Sequence, residues 1–457
     1  MKHAIVLAAG KGTRMHSSQS KVMHPVCDKP MIGHLINQLE SINVQDIHVV
    51  VGHQQEQIRD FLKDRVHYAQ QLQQQGTGHA VMQVKQLEQQ QGKTIVLYGD
   101  TPLIQKETME MMFDQAQHAD CVILVAKVKD PAQYGRIVRK MDGSIDSIVE
   151  YKDASEQIRL INEINTGIYC FDNEKLFKYL YHIQNNNSQN EYYLTDIIKI
   201  FSNEGLTIKT VTVKDIDEVM GVNDRIQLSQ ANQWMKRHIN YEFMKNGVTI
   251  VDPESTYVSS VCEIGEDTII YPNVYIKGRC KIGKNVTIQP NCWLEECIIG
   301  DNCVITSSQI VQSEVKANST VGPFAHLRMN SVVGENCRIG NFVEFKNVQF
   351  GDLSRSAHLT YLGDSTIGQD VNIGCGVVTV NYDGKKKHRT TVKDHAFVGS
   401  NSNLVAPLTV GEYAVVAAGS TITKDVDDED MVLARSHMTY KKGYGKQYIT
   451  KEKGGQK

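Results

Sequence analysis

No stretch of this chain stays apolar for the roughly 20 residues that a membrane-spanning helix requires. The apolar run inside MKHAIVLAAGKG is too short for the hydrophobic region of a secretory signal and has no small-residue cleavage site after it, so a cytoplasmic protein with no membrane partner is expected. Charge of one sign is also missing: 49 Lys and Arg stand against 52 Asp and Glu, a net charge of -3. That balance provides no overall field to gather nucleic acid, so an anionic ligand must be held by a local site. The ten cysteines include no CxxC pair, and cytosolic thiols stay reduced, which argues against a disulfide framework or a zinc site. What remains is ordinary globular composition, 41% hydrophobic and 22% charged over 457 residues, enough for two or three domains.

The first half alternates short β-branched runs (Ile5 to Ala9, Ile47 to Val51, Ile95 to Tyr98, Val122 to Val128) with helically spaced stretches such as Met31 to Leu39 and Gln54 to Leu62. Strand and helix alternating at this pitch predict a mostly parallel sheet with helices on both faces and ligands at the carboxyl ends of the strands. From Asp224 to Asn246 apolar residues recur at helical spacing, predicting a connecting helix. Beyond it the period becomes six: Ile264, Ile270, Ile276, Ile282, Ile288 and Leu294 form one run, Val321 to Phe345 a second, and Val392 to Ile422 a third. A hexapeptide repeat with an aliphatic at one position predicts a parallel β-helix of three hexads per coil. Cys262, Cys280, Cys292, Cys303 and Cys337 each fall four residues after an aliphatic position, a slot for small inward residues, and are expected to be core fillers. The register breaks twice. Between Phe345 and Ile367 the six-residue step is lost, and a loop freeing His358 is expected there; before Val392 the segment NYDGKKKHRT, Asn381 to Thr390, must leave the coil as a loop.

LAAGKGTRM, Leu7 to Met15, directly follows the first strand. It lacks the third glycine of a dinucleotide fingerprint and the Lys-Ser/Thr pair of a Walker loop, yet such a turn exposes NH groups to phosphate, and Lys11, Arg14 and Lys21 add charge. With QLQQQGTGHA (Gln71 to Ala80), LYGD (Leu97 to Asp100), YGRIVR (Tyr134 to Arg139), EINTGIY (Glu163 to Tyr169), EYYLTD (Glu191 to Asp196) and GVNDR (Gly221 to Arg225), it resembles the sugar-nucleotide pyrophosphorylases. Together with the hexapeptide half, essentially the whole chain resembles the bacterial bifunctional N-acetylglucosamine-1-phosphate uridylyltransferase and glucosamine-1-phosphate acetyltransferase family.

That resemblance implies a Rossmann-like α/β nucleotidyltransferase domain at 1–223, a linker helix at 224–247, a left-handed parallel β-helix acetyltransferase domain at 248–437 and a basic tail at 438–457. It implies that Leu7, Ala8, Ala9, Gly10, Gln71, Gly76 and Thr77 hold the UTP nucleotide and that Lys21 contacts its phosphates. Asp100 and Asn223 would hold Mg²⁺, and Gly135, Glu150, Asn165 and Asn223 would form the pocket for N-acetylglucosamine 1-phosphate. Ser20 departs from the family's usual proline before the lysine. Taken singly, Asp100 after a strand can equally cap a helix or turn, and Glu150 can be a solvated surface acid.

In the repeat domain the resemblance makes His358 the general base that removes a proton as the amine attacks the acetyl-CoA thioester, since imidazole titrates in the useful range. Glu344 would orient or assist it. Arg328, Lys346, Tyr361 and Asn372 would bind glucosamine 1-phosphate, and Cys375, Asn381, Tyr382, Ser400, Ala418 and Arg435 would contact acetyl-CoA. A homotrimer is implied, with acetyl sites between subunits that the inserted loop and tail reach. A lone histidine is more often structural, and the charges of Lys385 to Arg389 can be a solvated loop tip. Two rival readings stay open: a nucleotidyltransferase with a merely structural β-helix, and a scaffolding subunit without catalysis.

Overall fold

The computed structural model describes residues 1–449, so the last residues of the expected basic tail, 450–457, lie outside the described residues. The chain divides into two compact units, Met1–His238 and Ile239–Lys457.

In the first unit the β-branched runs become strands whose side chains alternate between two cores. Ala4, Val6 and Ala8 of strand Lys2–Ala8 enter one core and Ile5 the other. Helix Met31–Ser41 closes the first core with Ile32, Leu35, Ile36 and Leu39, while helices Asn173–Leu180 and Asp196–Asn203 close the second with Leu176, Leu180, Ile197 and Ile198. The main sheet runs in the order Ile208–Thr212, Cys121–Lys127, Glu163–Asp172, Lys93–Tyr98, Lys2–Ala8, Asp46–Val51, His67–Gln70. It is parallel except for Glu163–Asp172, which is antiparallel to both neighbours. Leu7 lies in register with Tyr98, so the glycine-rich turn and Asp100 leave the sheet side by side at its carboxyl edge.

The expected connecting helix is Arg225–Lys245. After it a left-handed parallel β-helix begins, each short strand pairing with the equivalent strand one coil on. The aliphatic positions stack in its interior as the hexads predict, and Cys262, Cys280, Cys292, Cys303 and Cys337 are buried among them.

The expected break between Phe345 and Ile367 is corrected by the structure. Strands Arg338–Phe350 and Arg355–Ile367 pair in parallel along their lengths, and the inward columns continue through Val321, Ile339, Ser356 and Ile373 and through Leu327, Phe345 and Leu362. Two features hide this continuity in the sequence. The fully buried Ser356 occupies an aliphatic position, and two sides of the coil are five residues long, Phe345 to Phe350 and Leu362 to Ile367. His358 therefore sits in a strand, next to the corner at Leu359, and not in a loop. The second interruption matches expectation: the chain leaves the coil after strand Val378–Val380 and returns at Thr390–Val392.

Candidate active sites

A cavity at the carboxyl edge of the first sheet is lined by Leu7, Ala8, Ala9, Gly10, Lys21, Gln71, Gly76, Thr77 and Asp100, uniting the expected nucleotide residues with the expected metal ligand. Gly76 is required by its backbone. Its φ is 109°, and a Cβ there would lie 2.6 Å from the Tyr192 carbonyl oxygen. The turn is held by the buried Gln71, which donates to the Gly76 carbonyl at 3.1 Å.

The Lys21 ammonium makes a short contact with Asp100 and lies 3.2 Å from Asn223 Oδ1. Asn223 is brought there by the neighbouring Val222, whose NH donates to the Asp100 carbonyl at 2.9 Å. Two side-chain oxygens thus converge on one cationic centre. That donor set fits a hard divalent cation that keeps most of its waters. Among the described residues no cluster of three or more His, Cys, Asp or Glu suits a metal ion. Ser20 holds Lys21 as a proline would, with φ of -55°, and its NH also donates to Gln57 at 2.9 Å.

A second cavity shares Thr77, Tyr98 and Glu191 with the first and is lined further by Gln133, Glu150, Tyr151 and Lys152. Gly135 faces Glu150 and Asn165: a Cβ on it would stand 3.4 Å from Glu150 Oε2 and 3.5 Å from Asn165 Cβ. Glu150 is not the solvated acid that its sequence allows, because burial raises its pKa above the ordinary carboxyl value. Asn165 is buried, with Nδ2 donating to the Tyr169 hydroxyl at 2.8 Å. Sequence reasoning missed Gln133 and Tyr151.

The β-helix gathers its expected residues by stacking. Residues just before one corner form a ladder through successive coils: Asn341 pairs with His358, the His358 carbonyl accepts from the Gly376 NH, the Cys375 carbonyl from the Asn401 NH at 2.7 Å, and the Ser400 carbonyl from the Gly419 NH at 2.8 Å. Ala418 continues the line, and its carbonyl accepts from Arg435 Nη1 at 2.8 Å. His358, Cys375, Ser400, Ala418 and Arg435 thus lie along one edge. Asn372 lies on the side leading to that corner, in strand Asn372–Ile373, paired with Arg355.

On the next side Glu344 pairs in register with Tyr361. The expectation that Glu344 orients His358 is not met. Its Oε1 accepts from Arg328 Nε at 2.9 Å and Nη2 at 2.7 Å, while His358 Nδ1 lies 2.9 Å from Asn341 Oδ1. With that oxygen as acceptor, Nδ1 carries the proton and Nε2 is left with a free lone pair, the tautomer a general base needs. Asn341 escaped notice although it precedes His358 by one coil, a spacing that could have revealed it.

Asp364, also unassigned from sequence, accepts from Asn381 Nδ2 at 2.6 Å and from Asn347 at 2.7 Å, and stands 3.7 Å from the buried Lys346 ammonium. The Lys346 pKa is lowered, first by Lys387 of the inserted loop and then by burial, so these two cations, with Arg328 near, make a place for a dianion. The rest of the loop is less available. Asp383 holds His388 at 2.7 Å, and Arg389 donates to Thr366 Oγ1 at 2.8 Å and to the Ser365 carbonyl at 3.0 Å. Tyr382 is exposed, its hydroxyl donating to the Gly384 carbonyl at 2.8 Å.

Comparison with known proteins agrees with both halves. The MobA-like NTP transferase domain family matches residues 4–163, and the GMPPB C-terminal domain family matches residues 253–350. The chain is 48% identical to the bifunctional protein GlmU of Shouchella clausii (98% of this chain, 99% of the relative) and 49% identical to that of Bacillus subtilis (97% and 98%). Identity to the bifunctional protein GlmU of Enterococcus faecalis is 50%, again over 97% of this chain and 98% of the relative. Similarity of this degree over nearly the full length places the chain in the family its motifs resemble: it belongs to the GlmU family of bifunctional uridylyltransferase/acetyltransferase enzymes.

Proposed function

We propose that the β-helix site acetylates glucosamine 1-phosphate with acetyl-CoA, and that the first unit joins the product to UTP, giving UDP-N-acetylglucosamine and pyrophosphate for cell-envelope polymers. The observation that carries this reading is a separate set of polar contacts in each unit, Lys21 with Asp100 and Asn223 in one, and His358 with Asn341, Arg328 with Glu344 and Lys346 with Asp364 in the other. A merely structural β-helix would not need a histidine held in one tautomer by Asn341 or the gathered cations Arg328, Lys346 and Lys387, and that disfavours the single-function alternative.

In the acetyl site Arg328, Lys346 and Lys387 take the sugar phosphate, with Tyr361 and Asn372 on the sugar. His358 Nε2 accepts the amine proton as nitrogen bonds to the thioester carbon; the C–S bond breaks and the coenzyme thiolate leaves. Cys375, Asn381, Tyr382, Ser400, Ala418 and Arg435 line the coenzyme's path, and Glu344 fixes Arg328. In the uridylyl site the nucleotide rests on Leu7 to Gly10, Gln71, Gly76 and Thr77, and the sugar phosphate on Gly135, Glu150, Asn165 and Asn223. An oxygen of the sugar phosphate attacks the α-phosphorus in line, and pyrophosphate departs. Asp100 and Asn223 would hold Mg²⁺, which when bound neutralises phosphate charge. Lys21, released from these oxygens, moves to the phosphates.

The reading includes a cytoplasmic homotrimer. Phe324, Phe342 and Leu359 occupy left-handed corners (φ 60°, 56° and 46°) where other coils place Asn273, Asn291 and Asn401, and they are 60%, 55% and 59% exposed beside His358. Bulky residues are costly in that conformation. A neighbouring subunit that covers this ridge would also exclude water from the acetyl site. No helix among the described residues is long and apolar enough to cross a membrane.

The test is a pair of variants. His358→Ala is expected to lose acetyl transfer by at least about a hundredfold and keep uridylyl transfer, and Asp100→Ala to do the reverse. Loss of both activities in either correctly folded variant refutes two independent sites.

A further inference from the structure

We infer that Arg136 is a positioning residue for uridylyl transfer, its buried guanidinium fixing two walls of the sugar-phosphate pocket at once: the 131–134 turn that carries Gln133, and the ring of Tyr151. The inference rests on the proposed assignment of that pocket.

Arg136 is only 2% exposed, and its hydrogen bonds run to main-chain carbonyls. Nη2 donates to Ala132 at 3.0 Å, Nη1 to Pro131 at 3.4 Å and, in a short contact, to Tyr134, and Nε donates to Arg159 at 3.3 Å. A buried cation is costly unless fully hydrogen-bonded, and an apolar side chain could fill the same space without that cost. What a guanidinium adds is a rigid fork of donors that sets several acceptors in fixed relation.

Three of those acceptors belong to one turn, and the turn needs holding. Ala132 has φ of 40°, a conformation alanine does not favour. Gln133, at its centre, lines the cavity with Glu150 and Tyr151. Gly135 follows directly, its carbonyl accepting from the Asn165 NH at 2.9 Å. The fourth acceptor belongs to Arg159, whose own guanidinium covers the Tyr151 ring at 4.5 Å while that of Arg136 approaches the same ring at 5.8 Å. Arg159 Nε also donates to the Tyr151 carbonyl at 3.3 Å. One side chain therefore ties the turn to the opposite wall, and neither wall touches the nucleotide cavity through it.

The experiment measures kcat and KM for both substrates of uridylyl transfer in full-length wild type, Arg136→Lys and Arg136→Met, with acetyl transfer assayed on the same preparations. Arg136→Met is expected to raise KM for N-acetylglucosamine 1-phosphate about tenfold or more, to change KM for UTP less than about twofold, and to leave acetyl transfer intact. Arg136→Lys is expected to fall between, because an ammonium keeps the charge but not the fork. A lowered Tm with KM for the sugar phosphate unchanged, or equal rises in both KM values, overturns the inference. Where Arg136→Met does not fold, Arg136→Lys decides alone, and an unchanged sugar-phosphate KM in it overturns the inference. Wild type that fails to use N-acetylglucosamine 1-phosphate with UTP refutes the pocket assignment, and the inference with it.

Discussion

Replacing Asn341 by alanine removes the acceptor that stands 2.9 Å from His358 Nδ1 and leaves the ladder backbone in place. A single hydrogen bond near the surface is worth about 1 kcal/mol net, so acetyl-transfer kcat should fall roughly fivefold as the population of the correct tautomer declines. Losing the base itself should cost about a hundredfold or more. The two effects must not add: with no imidazole to orient, Asn341→Ala in a His358→Ala background should change nothing further. Asn341→Asp keeps an acceptor but supplies charge, which favours the protonated ring, and should move the acidic limb of the pH–rate profile up by about one pH unit. The assay is release of the coenzyme thiol with glucosamine 1-phosphate as acceptor. A wild-type rate and profile in Asn341→Ala, or a further drop in the double variant, refutes the orienting role.

Other perturbations probe the first unit. Burial holds the His48 pKa down at about 4, against an ordinary value of 6.5. Below pH 6.5 the unfolded chain takes up a proton that the folded chain does not, so stability declines as pH falls from 6.5 towards 4, by up to about 3 kcal/mol at the lower end. Denaturant titrations across that range should show the decline, and His48→Gln should flatten it. Gly76→Ala forces a Cβ to within 2.6 Å of the Tyr192 carbonyl oxygen, and steady-state assays should find KM for UTP raised several-fold with acetyl transfer untouched. Chelation by EDTA should abolish uridylyl transfer and spare acetyl transfer, as measured by pyrophosphate and thiol release.

Where chain order mirrors space, the sequence was easy to read. The glycine-rich turn follows its strand directly, and each hexad lays its aliphatic on the one below, so residue order alone places Leu7 to Gly10 and the aliphatic columns. What remained hidden depends on pairing between coils. Ser356 breaks the apolar pattern without breaking the stack, because a small side chain can occupy an inward position beside Ile339 and Ile373. The partner of His358 is set by coil length, and a residue one coil away, Asn341, displaced the expected Glu344, which Arg328 had taken. Arg136 was equally illegible: charge predicts exposure, and only the fold shows carbonyls converging on it.

One chain performs two successive reactions, and the product of the second unit serves the first. The most direct measurement supplies wild type with glucosamine 1-phosphate, acetyl-CoA, UTP and Mg²⁺ and follows thiol and pyrophosphate together. Thiol release is expected first, then pyrophosphate after a lag, with no pyrophosphate when acetyl-CoA is withheld. Pyrophosphate release from UTP and glucosamine 1-phosphate at full rate without acetyl-CoA would rule out that order of reactions.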